Sequence, residues 1–166
     1  MLYLIDASTL ISAHNTYYAL HRVPEFWLWL RHQGEAGNIK IPPSIYAEVE
    51  DGNDALATWM ADAGSKDVLL FNEQPAPLLV QAVLAHYGAN LSEADVETIG
   101  KDPFLIAAAL ADHNGRCVVT AEVSKPTRQG ANRHIPNICD DLGVNWHTPV
   151  ELLNALDFST GWNHAG

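Results

Sequence analysis

Four acidic residues of this 166-residue chain have the types and placement to do chemistry together. Asp6 ends the apolar run Leu2-Tyr3-Leu4-Ile5 and is followed by Ser8. Glu48 lies in "PPSIYAEVE", Asp102 stands before Pro103 in "KDPFLIAAALA", and Glu122 follows Thr120 at the end of "CVVTAE". Carboxylates brought close raise one another's pKa unless something neutralises them. Hard divalent cations such as Mg²⁺ or Mn²⁺ do this through oxygen ligands. The eight histidines show no close-paired ligand spacing, so the acids are the candidate ligands.

Each acid also has a plainer reading. Asp102 before a proline suits a helix N-cap, Glu48 a solvated helix face beside Glu50 and Asp51, and Glu122 a loop charge. Asp6 is the hardest to reduce to packing, because an apolar residue would serve a strand end as well.

Alternating elements must position these residues. "LYLI" lacks polar alternation and reads as a strand buried on both faces. Helices follow from Ser8 and from Pro24 through "PEFWLWLRHQG", with Gly34 as a stop; Trp27 and Trp29 of that segment are assigned to the core. "NIKIPPS" is a short strand, "SIYAEVE" a helix, and "NDALATWMADAG" a helix capped by Asn53. "DVLLF" is expected as a third strand. Two helices follow, "PAPLLVQAVLAHYG" and "SEADVETIG", the second opened by a capping box from Ser92 to Asp95. Then come the helix "DPFLIAAALADHNG", the strand "RCVVTAE", the helix "NICDDLG", the strand "VNWHT" and the helix "PVELLNAL". Strands separated by helices imply crossovers and a parallel sheet covered on both faces. Such sheets bind ligands beyond the carboxyl ends of their strands. Asp6 and Glu122 are placed there, so the carboxylate that ends a buried strand lies on the rim of a crevice and not in the core.

Composition narrows the classes further. The apolar fraction of 48% with 17% charged residues is that of a globular chain. We expect one domain over residues 1–156 with a C-terminal tail over 157–166. Cys117 and Cys139 are expected as free, buried thiols in a reducing cytosol, and no apolar run is long enough to span a membrane. A net charge of −11 argues against generic electrostatic attachment to nucleic acid, though not against an enzyme that meets phosphates through bound cations. Arg116, Lys125, Arg128 and Arg133 form a locally basic stretch around Glu122.

"YLIDASTLI", "PPSIYAEVE", "KDPFLIAAALA" and "CVVTAE" together resemble the PIN-domain family over nearly the whole chain, from Met1 to about Leu153. Many PIN domains are metal-dependent ribonucleases, including VapC-like toxins of toxin–antitoxin pairs. The resemblance implies a three-layer α/β/α sandwich with five parallel strands ordered 3-2-1-4-5. It implies catalytic, metal-holding acids at Asp6, Glu48, Asp102 and Glu122, with Asp140 or Asp141 as an alternative to Glu122, supporting hydroxyls at Ser8 and Thr120, and Mg²⁺ or Mn²⁺ as cofactor. It further implies RNA as substrate, cleaved to 5′-phosphate and 3′-hydroxyl ends, a cognate antitoxin and a homodimer. Two other classes stay open: a non-catalytic PIN-like binding module, and a phosphoaspartyl phosphatase using Asp6. For the phosphatase a second aspartate belongs two residues after the first, where this chain has Ser8.

Overall fold

The computed structural model describes residues 1–164. Its elements in chain order are β1 (Leu2–Ile5), α1 (Ala7–Asn15), α2 (Pro24–Glu35), β2 (Ile39–Lys40), α3 (Pro43–Glu50), α4 (Ala55–Ala61), α5 (Ala63–Leu69), α6 (Pro77–Ala85), α7 (Glu93–Ile99), α8 (Asp102–Leu110), β3 (Arg116–Val119), α9 (Ile135–Leu142), β4 (Asn145–His147) and α10 (Pro149–Ala155), with a 3₁₀ turn at Gly130–Asn132. The strands form a parallel sheet ordered β2-β1-β3-β4. Successive side chains of a strand point to opposite faces. Tyr3, Leu4 and Ile5 of β1 and Cys117, Val118 and Val119 of β3 are all buried, so helices cover both faces of the two central strands. Neither cysteine forms a disulfide, and both are buried. No described helix is long and apolar enough to cross a membrane.

Two expectations about the middle of the chain are corrected. The helix from "NDALATWMADAG" is capped by Asp54, whose side chain accepts from the Ala57 amide at 2.9 Å, and not by Asn53. It then breaks at Asp62, which caps α5 through the Ser65 amide while pairing with Arg31 at 2.7 Å. The helix so restarted runs through Leu69 and absorbs most of "DVLLF". A short apolar run is ambiguous between helix and strand, and here the cap decides. What is left of the expected strand is one parallel bridge between Leu70 and Ile41, closed by Ile41 N–H to Leu69 O at 2.8 Å and Phe71 N–H to Ile41 O at 2.9 Å. The sheet among the described residues therefore has four strands and a single-residue contact beyond β2.

Gly34 is likewise not a helix stop. It lies buried inside α2, which continues to Glu35, and the left-handed glycine after the helix is Gly37 (φ +78°). A Cβ on Gly34 would meet the Val68 carbonyl oxygen and the Leu69 side chain, each at 2.8 Å. The glycine is there so that α2 and α5 can approach closely. Gly34→Ala should therefore destabilise the fold by about 1–3 kcal/mol, despite alanine's better helix propensity. A thermal melt showing equal or higher stability would contradict this packing.

Helix α2 carries the aromatic core. Trp27 and Trp29 are each 1% exposed, and Phe26 stacks on Tyr18 with centroids 4.6 Å apart. Residues past 156 join it. Phe158 packs against Trp29 at 5.0 Å, Trp162 stacks on His32 at 4.9 Å, and the Trp162 indole donates to Glu25 O at 3.0 Å. The expected tail thus docks on α2 as far as the described residues run; 165–166 lie outside them.

Candidate active site

Asp6 follows the last residue of β1, and its amide donates to Val119 O at 2.9 Å, which fixes the exit of β1 beside that of β3. The Asp6 carboxylate is 5% exposed and is held by a short relay. The Glu122 amide donates to the Thr120 hydroxyl at 3.1 Å, and the Ala121 amide donates to the Ser8 hydroxyl at 3.2 Å. Each hydroxyl has one proton to give, and both give it to Asp6 Oδ2: Thr120 at 2.9 Å, and Ser8 in a short contact. The 3.3 Å approach of the two hydroxyls is then proximity and not a further hydrogen bond. The relay locks the carboxylate through one of its oxygens. Burial raises the Asp6 pKa, opposed by the two hydroxyls and then by the Ala7 and Ser8 amides.

Asp102 is not a cap. The N-cap position of α8 belongs to Lys101, no side chain caps that end, and Asp102 sits in the first helical turn beside Pro103. Its half-buried carboxyl makes no side-chain hydrogen bond among the described residues. Desolvation first, then the charges of Asp6, Glu122 and Glu48, push its pKa up to about 8. Three acids scattered over more than a hundred positions thus act on a fourth. Glu48, on α3, is exposed, yet its pKa is also raised, by desolvation and then by Asp6, with Lys101 opposing.

Glu122 has a second duty. Its Oε2 accepts from the Ile135 amide at 2.8 Å, at the amino end of α9, where a free amide needs a partner. One carboxylate oxygen therefore ties β3 to α9 and the other remains. The alternative fourth acids are engaged elsewhere. Asp140 accepts from the Trp146 indole at 2.8 Å, and Asp141 pairs with Arg133 at 2.7 Å, which holds its pKa below the usual range.

The residues fit a hard divalent cation in chemistry: oxygen donors only, one of them a desolvated carboxyl without a counter-charge. They are not a finished ligand set, since no group of three His, Cys, Asp or Glu side chains among the described residues stands ready to hold an ion.

The basic stretch divides in two. Arg116 grips Glu73 through two hydrogen bonds at 2.8 and 2.7 Å, and Arg133 pairs with Asp141 and donates to His86 O at 2.8 Å. Both are structural ties. Lys125 and Arg128 are exposed and make no ion pair among the described residues. Their loop is pinned by Asn137, whose Oδ1 accepts from the Lys125 amide and whose Nδ2 donates to the Ser124 hydroxyl, both at 2.9 Å. Nothing local in the sequence marks Asn137, because its partners lie more than ten residues away.

An apolar cleft of about 410 Å³ adjoins the acids, sharing Glu122 and Ala121 with them and running between α1, α2 and α10. Tyr17, Val123 and Val150 form an exposed rim.

A parallel α/β sheet with Asp6 and Glu122 just past the carboxyl ends of its two central strands defines the class of this protein. Over residues 3–160 the chain matches a family described as a domain of unknown function, DUF4411, and it belongs to that family. No curated protein matches it significantly.

Proposed function

We propose that this chain is a PIN-like, Mg²⁺- or Mn²⁺-dependent endoribonuclease and the toxin of a toxin–antitoxin pair. The observation that carries the reading is that Asp6 and Glu122 leave the paired strands β1 and β3 side by side, joined through Thr120, and that their charges, with that of Glu48, bear on the half-buried Asp102. The finer fold assignment, a three-layer sandwich with a fifth strand position beyond β2, is supported by the Leu70–Ile41 bridge at the matching edge. Asp6, Asp102, Glu48 and the second oxygen of Glu122 would hold the cation. When bound, it supplies Lewis acidity toward water and the scissile phosphate. Ser8 and Thr120 keep the Asp6 carboxylate in one orientation, and Lys125 and Arg128 bear on the RNA backbone without reading bases. The apolar cleft beside Glu122 offers an antitoxin a hold next to the site, and a homodimer accompanies the reading.

Cleavage of a mixed single-stranded RNA, with and without chelator, tests the proposal. Mn²⁺ or Mg²⁺ at a hundred times its dissociation constant should stabilise the fold by roughly 2.7 kcal/mol, and chelation should abolish cleavage. Full activity in excess chelator would sink the mechanism. Cation binding without cleavage would leave a binding module, and a phosphorylated Asp6 would indicate the phosphatase.

Replacing Lys125 and Arg128 by alanine, with Arg133 left alone because it is structural, should reduce the salt slope of RNA binding. About 0.7 is expected per lost phosphate contact on a single strand. An unchanged slope would remove this loop from the RNA path.

A further inference from the structure

Tyr87, in the turn after α6, carries a polar group that the fold leaves without an evident purpose. The residue is 2% exposed, and its hydroxyl is buried with no hydrogen-bond partner. Buried polar groups in native proteins are overwhelmingly paired, so an exception calls for a reason. A phenylalanine would fill the same space in this core at no such cost.

The surroundings supply the reason. Helix α6 packs along α8, which Asp102 opens. The Arg133 guanidinium ties down the carbonyl of the preceding residue, His86, at 2.8 Å. The phenol feels burial first and then the charges of Asp102 and Glu122, so it keeps its proton and can only donate or accept as a neutral hydroxyl. Asp102, in turn, is a carboxyl with no donor. A buried donor without an acceptor, just past the end of α6, thus lies within electrostatic reach of a carboxyl without a donor at the start of α8, the helix packed along it. The ring is fixed by the core, whereas an aspartate in a first helical turn swings on two torsions.

We propose that Tyr87 is a positioning residue: its hydroxyl donates to the Asp102 carboxylate once that side chain turns inward, and so fixes the oxygen that Asp102 presents to a cation. The inference rests on the ribonuclease reading of the site and adds a residue to it. Ser8 and Thr120 hold Asp6 in this manner, and Tyr87 gives Asp102 the equivalent support from a different part of the chain.

Tyr87→Phe removes the hydroxyl and keeps the ring. Without cation its melting temperature should equal or exceed that of the wild type, because an unpartnered buried group is lost. With cation, Mn²⁺ affinity by titration calorimetry should fall about tenfold, and kcat should fall at least tenfold with KM unchanged. A purely structural tyrosine would move neither. A second measurement uses the unaltered chain with ¹³Cζ-tyrosine. Mg²⁺ should shift one of the five tyrosine resonances, and the same resonance should be the one broadened by Mn²⁺. A wild type that cleaves RNA while Tyr87→Phe matches it in kcat and Mn²⁺ affinity overturns this inference alone, as does a tyrosine spectrum that ignores Mg²⁺. A wild type that neither binds Mn²⁺ nor cleaves RNA overturns the inference together with the reading beneath it.

Discussion

Asp102→Asn should abolish cleavage while making the cation-free protein more stable. Asparagine keeps the shape of the side chain and removes the charge, which is the part that a cation needs and that the crevice resists. In the unfolded chain the aspartate ionises near pH 3.9; in the fold its pKa is pushed up to about 8 by desolvation and by Asp6, Glu122 and Glu48. Between those values the native state holds a proton that the unfolded state has released, so stability falls as pH rises through this window. Below it the wild type and Asp102→Asn should melt alike. At pH 8 the variant should be more stable by on the order of 2–4 kcal/mol, allowing for partial solvent screening of a half-buried group. Added Mg²⁺ should flatten the wild-type slope and leave the variant unaffected. Melts from about pH 3 to 8.5, beside a cleavage assay, check both halves. Because α8 has no side-chain cap at this position, Asp102→Ala should show the same stabilisation and not the loss of a capping bond. Wild-type cleavage by Asp102→Asn would dismantle the four-carboxylate site.

The second large effect is expected at Thr120, which is fully buried. Thr120→Val preserves the outline of the side chain but removes the group through which the Glu122 amide reaches the Asp6 carboxylate. An amide then loses its acceptor and a buried carboxylate loses one of two side-chain donors, at a cost of about 1–3 kcal/mol. Since the Thr120 hydroxyl lowers the Asp6 pKa, its loss should also drive that pKa further up and weaken cation binding. Thr120→Ser, which keeps the oxygen, should recover most of both. Equal melting of valine and wild-type proteins would show that the relay carries no weight.

The sequence showed the acids and the central strands because their signals are local. An apolar run ending in aspartate, and another ending in Thr-x-Glu, mark strand ends whatever lies between. The crevice then follows from parallel topology alone. The capping box at Ser92 and Asp95 is equally local and is present. Where the reading failed, the deciding partner was remote. Gly34 looks like a stop until α5 is laid against it, and "DVLLF" looks like a strand until Asp62, held by Arg31, restarts a helix ahead of it. For Asp102 it is the plainer alternative, a cap before proline, that the fold removes. Its real position is set one residue earlier, by Lys101. Tyr87 was illegible for a different reason: a tyrosine among apolar residues gives no sign of whether its hydroxyl finds a partner.

The aromatic packing on α2 also gives this chain an internal optical signal. Of its five tryptophans, Trp27 and Trp29 are sealed in the core and Trp162 is clasped from the far end of the chain. Phe26, on the same helix, forms part of the wall of the apolar cleft. The acids, in contrast, belong to the strand exits, α3 and α8. Phe26 lies 5.1 Å from Trp27 and 6.0 Å from Trp29 between ring centroids, so a change at the cleft wall is one ring away from their emission. A partner seated in the cleft and an ion seated among the acids should be distinguishable in one cuvette, by colour and without any label.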